Sequence, residues 1–211
     1  MQLAYVSHVF FLLALAYLST NAQARITIGY RTASREEAVR INAKNTPVRN
    51  TAYDNKPGSQ IGNGIYLGST PAGWLGSPIK RNWYCVFQAD EALFMAAPKL
   101  WIPKSYKRNS FLRSSKSVQL WNHGEMAIAK YVRKSNLNAD KTLRFSYIEA
   151  HGTQLQMVIP TKMANANSLG FFAKCFATKS ELLSYESKPV NWWSLVIKGD
   201  PGPPERPGRP G

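Results

Sequence analysis

Residues 26–67 constrain the fold more than any other stretch of the chain. Ile26, Ile28 and Tyr30 alternate with polar or small residues, the period of a half-buried strand. That run ends in Gly29-Tyr30-Arg31-Thr32. Ser34 with Glu37 three positions later is a capping box, and Ala38, Ile41 and Val48 extend the apolar side of the helix it starts. The helix is expected to stop near Asn45, because Thr46 precedes Pro47 and is pushed out of the helical region. Asn55-Lys56-Pro57-Gly58-Ser59 is a turn by composition. A second strand is predicted over 61–67, with Gly62 and Gly64 where the backbone needs freedom or a ligand approaches. An arginine closing one strand and a glycine turn opening another could together form a cleft for a phosphorylated ligand.

The remaining segments are mostly strand-like. Residues 83–89 form a buried strand carrying Cys85, and 92–101 is ambiguous between helix and strand and broken by Pro98. Residues 104–116 are basic and Ser-rich, and read as a surface loop. Residues 124–134 have helical spacing. Strands are predicted over 143–148, 155–159 and 169–177, a helical turn or two over 180–185, and a Trp-rich terminal strand over 190–197. The class is therefore α+β, with a mostly antiparallel core and its helices early in the chain.

The chain opens with an apolar run, Val9 to Leu18, and the small-residue pattern Ala22-Gln23-Ala24. Together they read as a secretory signal peptide, since the run is too short to span a bilayer. The expected organisation is a signal peptide over 1–24, one domain over 25–198 and an unpacked Pro/Gly-rich tail over 199–211. No later apolar run approaches membrane length. In a secreted protein the two cysteines, Cys85 and Cys175, read as one disulfide. The formal net charge of +15 favours anionic partners without choosing among nucleic acid, acidic glycan, membrane surface and phosphorylated small molecules. The three histidines are scattered, and no zinc spacing, P-loop, nucleophile elbow or Ser/His/Asp set is present, so no metal site is expected.

Three blocks in order carry a resemblance. Tyr30-Arg31-Thr32 with the helix start Ser34-Arg35-Glu36-Glu37-Ala38 resembles the opening of mono-ADP-ribosyltransferase toxins of the cholera and heat-labile enterotoxin A-chain type. Residues 60–67 (QIGNGIYL) look like that family's glycine-flanked central strand, and 154–160 (QLQMVIP) are similar to its later strand, where a glutamate pair precedes Ile-Pro. The resemblance implies an ADP-ribosyltransferase-like split antiparallel β core and NAD as cofactor. It implies that Arg31 holds the NAD phosphates, for which a planar guanidinium is suited. It also implies that Gly64 and Tyr66 stand nearest the nicotinamide pocket. Arg31 reads equally well as a strand-end surface arginine, and Tyr66 reads better as an ordinary core aromatic.

The departure lies in the last block. At the catalytic positions the family carries a glutamate whose charge stabilises the cation-like transition state, and an amide cannot replace it. Here the segment reads Gln154-Leu155-Gln156. Glu149 lies just upstream but at an odd offset from Gln154 and Gln156, on the opposite strand face unless His151-Gly152 supplies a bend. The expectation is a secreted toxin- or effector-like pseudoenzyme with weakened or lost NAD-dependent transfer, acting on a host or competitor protein. The alternative is a non-enzymatic cationic module that binds nucleic acid or acidic glycan through residues 104–116, where Tyr106 and Phe111 interleave with basic residues.

Overall fold

The computed structural model describes residues 24–77, 79, 81–108 and 116–204. Residues 1–23 of the proposed signal peptide (1–24), and residues 205–211 of the tail, lie outside them. Nine strands and five helices are described: β1 (Arg25–Ser34), α1 (Arg35–Lys44), β2 (Gly64–Gly68), β3 (Asn82–Asp90), α2 (Glu91–Ala96), β4 (Lys99–Trp101), β5 (Ser105–Arg108), β6 (Lys116–Gln119), α3 (Gly124–Lys134), β7 (Leu143–Tyr147), β8 (Leu155–Pro160), α4 (Thr161–Asn165), β9 (Phe172–Phe176) and α5 (Lys179–Tyr185). Seven strands form one sheet in the order β4-β7-β8-β2-β1-β3-β9, and β5 and β6 form a separate hairpin. All pairs are antiparallel except β4 with β7. The molecule is thus α+β and mostly antiparallel. Its helices run the length of the chain rather than clustering at its start.

The sheet is nearly two sheets. β1 pairs with β3 along its whole length, and β2 pairs with β8 likewise. Between β1 and β2 the only paired residues are Tyr30 and Gly68. Past that point the two halves diverge and leave a cleft.

A β-bulge decides what β1 presents to it. Thr27 pairs with Gln88 and Gly29 with Phe87, so Ile28 is the extra residue. Its carbonyl accepts a hydrogen bond from the Trp192 indole at 3.0 Å. The bulge breaks the simple alternation expected of Ile26, Ile28 and Tyr30. Ile28 belongs to the main core with Cys85 and Phe87, whereas Tyr30 joins a second cluster with Val86 and Leu182. Arg31, paired with Cys85, then reaches α1.

The α1 helix begins where the capping box placed it, but only half of the box forms. The Ser34 hydroxyl accepts from the Glu37 amide at 3.2 Å, while the Glu37 carboxylate turns to Arg31 instead of its own N-cap. The helix ends at Asn45 in the left-handed region. Asn42 both donates to the Cys175 carbonyl and accepts from its amide, each at 2.8 Å. The free side of edge strand β9 is thereby sealed against pairing with another chain.

Three local expectations are corrected. The strand predicted over 61–67 starts only at Gly64, because 59–62 turn back through a Gly62 amide to Ser59 carbonyl bond of 3.2 Å. Residues 190–197 form a 3₁₀ turn, Trp192–Ser194, capped by the Asn191 side chain, with one bridge from Lys198 to Leu100. Local bonds close that turn: the Trp193 amide donates to the Asn191 side chain at 3.1 Å, and the Ser194 amide to the Asn191 carbonyl at 3.3 Å. The predicted loop over 104–116 is partly the β5–β6 hairpin; residues 109–115 fall outside the described part. At the start of the tail the Gly202 amide donates to the Asp200 carboxylate at 2.8 Å. Among the described residues no helix is long and apolar enough to cross a membrane.

Candidate functional site

The cleft has two lobes, of about 470 Å³ and about 600 Å³. They meet on a floor of Tyr30, Arg31, Thr32 and Gly68, the place where the sheet halves join. Trp74 and Ile148 also border both. The Thr32 hydroxyl donates to the Trp74 carbonyl at 2.6 Å and holds the loop after β2 over this floor. Trp74 meets His151 from the β7–β8 turn, with ring centroids 5.2 Å apart.

Arg31 is the best-placed cation. Its Nε and one terminal nitrogen donate to the two oxygens of Glu37 at 2.9 and 3.2 Å, and the other terminal nitrogen donates to the Tyr66 carbonyl at 3.2 Å. A guanidinium has five N–H donors, so described partners leave two for an anion in the cleft. The second lobe adds Arg49 and Lys56 to its wall. Arg49 is itself oriented by Asp54 at 3.1 Å and by the Tyr53 carbonyl at 2.8 Å.

Tyr66 lines the second lobe, but its hydroxyl is spent internally. It donates to the Gly62 carbonyl at 2.7 Å and accepts from the Ile61 amide at 3.0 Å, closing the turn that launches β2. Burial pushes its phenol well above the usual tyrosine range. Gly64 stands opposite Pro160, away from the cleft walls, and a side chain there would run into the Ile159 carbonyl. At its φ of +152° glycine is the residue that fits.

The two glutamines separate. Gln156 is buried in β8, lines the second lobe, and donates its amide to the Ser146 hydroxyl at 3.0 Å and the Tyr147 carbonyl at 3.3 Å. Gln154 is exposed in the preceding turn and lines the first lobe. Arg31 therefore shares each lobe with one glutamine, and shares the second with Tyr66 as well.

Glu149 is the one carboxylate among the described residues lining either lobe. Its backbone amide donates to Gln60 at 3.0 Å, and Gln60 in turn donates to the Tyr147 carbonyl at 2.8 Å. Its carboxylate accepts from Asn122 at 2.6 Å and pairs with Lys104 at 3.5 Å. The bend that separates it from β8 comes from positive φ at Ala150 and Gly152. Sequence reasoning missed Trp74, Arg49, Lys56 and the Gln60 clamp. The clue for Gln60 was its place at the head of the second block; nothing local marked the others. No group of three His, Cys, Asp or Glu suited to a metal occurs among the described residues.

The model of a protein family of unknown function, DUF5910, matches residues 59–200. The match takes in β2 and the β7–β8 wall of the cleft, and begins after β1 and Arg31. No curated protein matches the chain.

Proposed function

The chain belongs to the DUF5910 family of unknown function, and we propose that its cleft binds NAD without efficient ADP-ribosyl transfer. On this reading it is a secreted, toxin- or effector-like protein acting on a host or competitor target. The observation that carries the reading is the position of Arg31. It follows directly on Tyr30, whose pair with Gly68 alone joins the two sheet halves, and it lines both lobes. A diphosphate laid across that floor would meet the two donors that Glu37 and Tyr66 leave, and Arg49 and Lys56 supply further charge along the second lobe.

Bound NAD would supply an activated glycosidic bond, whose cleavage leaves positive charge on the ribosyl carbon. The residues facing the cleft are poorly suited to that charge. Gln156 offers a neutral amide already donating to Ser146 and Tyr147, and Gln154 is neutral as well. Glu149 is charged, but its oxygens are drawn to Asn122 and Lys104. Binding is therefore retained and turnover is low.

Titration of NAD into the purified protein tests this reading, followed calorimetrically or by tryptophan fluorescence, since Trp74 and Trp193 line the cleft. The expected result is saturable binding weakened about tenfold or more in Arg31→Ala, equivalent to one lost charged hydrogen-bonding partner. Hydrolysis of NAD is expected near background. Robust turnover abolished by Arg31→Ala but unchanged in Gln154→Ala and Gln156→Ala would overturn the weakened site. Absence of NAD binding in the unaltered protein would overturn the whole reading.

A further inference from the structure

We infer that the β5–β6 hairpin and the C-terminal half of α3 form one face that binds nucleic acid through its phosphate backbone. Residues 104–141 carry nine Lys and Arg against two acids, Glu125 and Asp140. Both acids are neutralised from outside the segment. Glu125 accepts two 2.7 Å bonds from Arg144, and Asp140 accepts one of 2.8 Å from Lys162. Lys104 pairs with Glu149. Lys107, Lys116, Lys130, Arg133 and Lys134 are exposed, and the one carboxylate in their elements, Glu125, is taken up by Arg144.

Tertiary packing joins the hairpin to the end of α3. Tyr106 of β5 meets Tyr131 of α3 with centroids 5.0 Å apart and rings tilted by 46°, and the Lys134 ammonium lies 4.4 Å from the Tyr106 ring centroid. The hairpin's register sets Ser105 opposite Gln119 and Lys107 opposite Ser117. The helix dipole accounts for Arg133 and Lys134 at the end of α3. It does not account for the hairpin.

Charge and apolar placement choose the partner. An interfacial helix needs an apolar face to insert into lipid, and Ile128, Ala129 and Val132 of α3 are buried in this protein's own core. Base stacking needs an open aromatic face, and Tyr106 is occupied by Tyr131 and Lys134. A dense row of phosphates matches cations on a ribbon and the adjoining helix, without reading the bases. None of these cations lines the cleft, so the inference stands apart from the NAD reading.

The test is fluorescence anisotropy of a labelled DNA duplex and its single strand with the full chain, across a salt series. Binding is expected to be independent of base sequence. The Lys116→Gln/Lys130→Gln/Arg133→Gln variant should bind about tenfold more weakly and lose about one unit of log–log salt slope per cation. The corresponding Lys116→Arg/Lys130→Arg variant should bind as the parent does. Because all three side chains are exposed, unchanged melting would show that the neutralised variant folds. Unchanged affinity and slope in that variant would overturn the face. Binding to heparin but not to DNA would overturn the partner, and sequence-dependent affinity would overturn backbone recognition.

Discussion

Glu125→Ala is expected to destabilise the fold by about 3–5 kcal/mol, the range for stranding one member of a buried ion pair. Its partner Arg144 is among the largest fully buried side chains. The guanidinium meets Glu125 through two 2.7 Å bonds and also donates to the Ile61 and Ala139 carbonyls at 3.2 and 3.1 Å. Nothing among the described residues bonds its Nε. Without Glu125 a charge would remain in the core with carbonyls alone to hold it. The reverse change should cost less. The Glu125 side chain is 26% exposed against 1% for Arg144, so in Arg144→Met the carboxylate can turn to water, at about 1–2 kcal/mol. Glu125→Leu/Arg144→Met together should lie within about 1 kcal/mol of the parent. Guanidinium chloride unfolding of the three variants measures the asymmetry, and equal costs for the single changes would refute it. The pair also reaches the cleft, because Glu125 accepts the Asn63 amide at 2.6 Å and Arg144 holds Ile61 on either side of Gly62. Loosening it should weaken ligand binding in the second lobe more than in the first.

Removing the Cys85–Cys175 bridge, as Cys85→Ala/Cys175→Ala, is expected to cost about 4–5 kcal/mol. The bond links residues 90 apart in sequence, so in the chain-entropy account it withdraws a long loop's freedom from the unfolded state. It joins directly paired positions of β3 and β9. Both cysteines are buried, so small cavities add to the cost. β9 keeps its β3 ladder and its Asn42 contacts without the bond. The variant should therefore fold at low temperature and unfold at lower denaturant. A loss under about 1 kcal/mol would show that the bridge constrains little.

Much of the local structure was legible in the sequence. Ser34, the Thr46-Pro47 stop and the alternating runs predict their elements because caps, proline sterics and side-chain period act over a few residues. The disulfide followed from the even cysteine count read together with an expected secretion signal. Of the candidate site, Arg31 and the two glutamines were found by pattern, but not how they would sit together. The β1 bulge reverses the strand's alternation, so Tyr30 leaves the core that Ile28 enters while Arg31 reaches Glu37. No local signal marks that bulge; the Trp192 indole that satisfies Ile28 comes from the far end of the chain.

What the sequence determined by itself, then, is most of the long elements, the excess of cations and the presence of glutamines, not glutamates, at Gln154 and Gln156. The tertiary structure alone decided that one pair of residues joins the sheet halves. It also decided that Glu37 completes Arg31 rather than its own cap, and that the hairpin cations lie beside those of α3. Short-range propensities are written in neighbouring residues. Register and charge neutralisation depend on partners distant in sequence, and these are specified only once the core has closed around them.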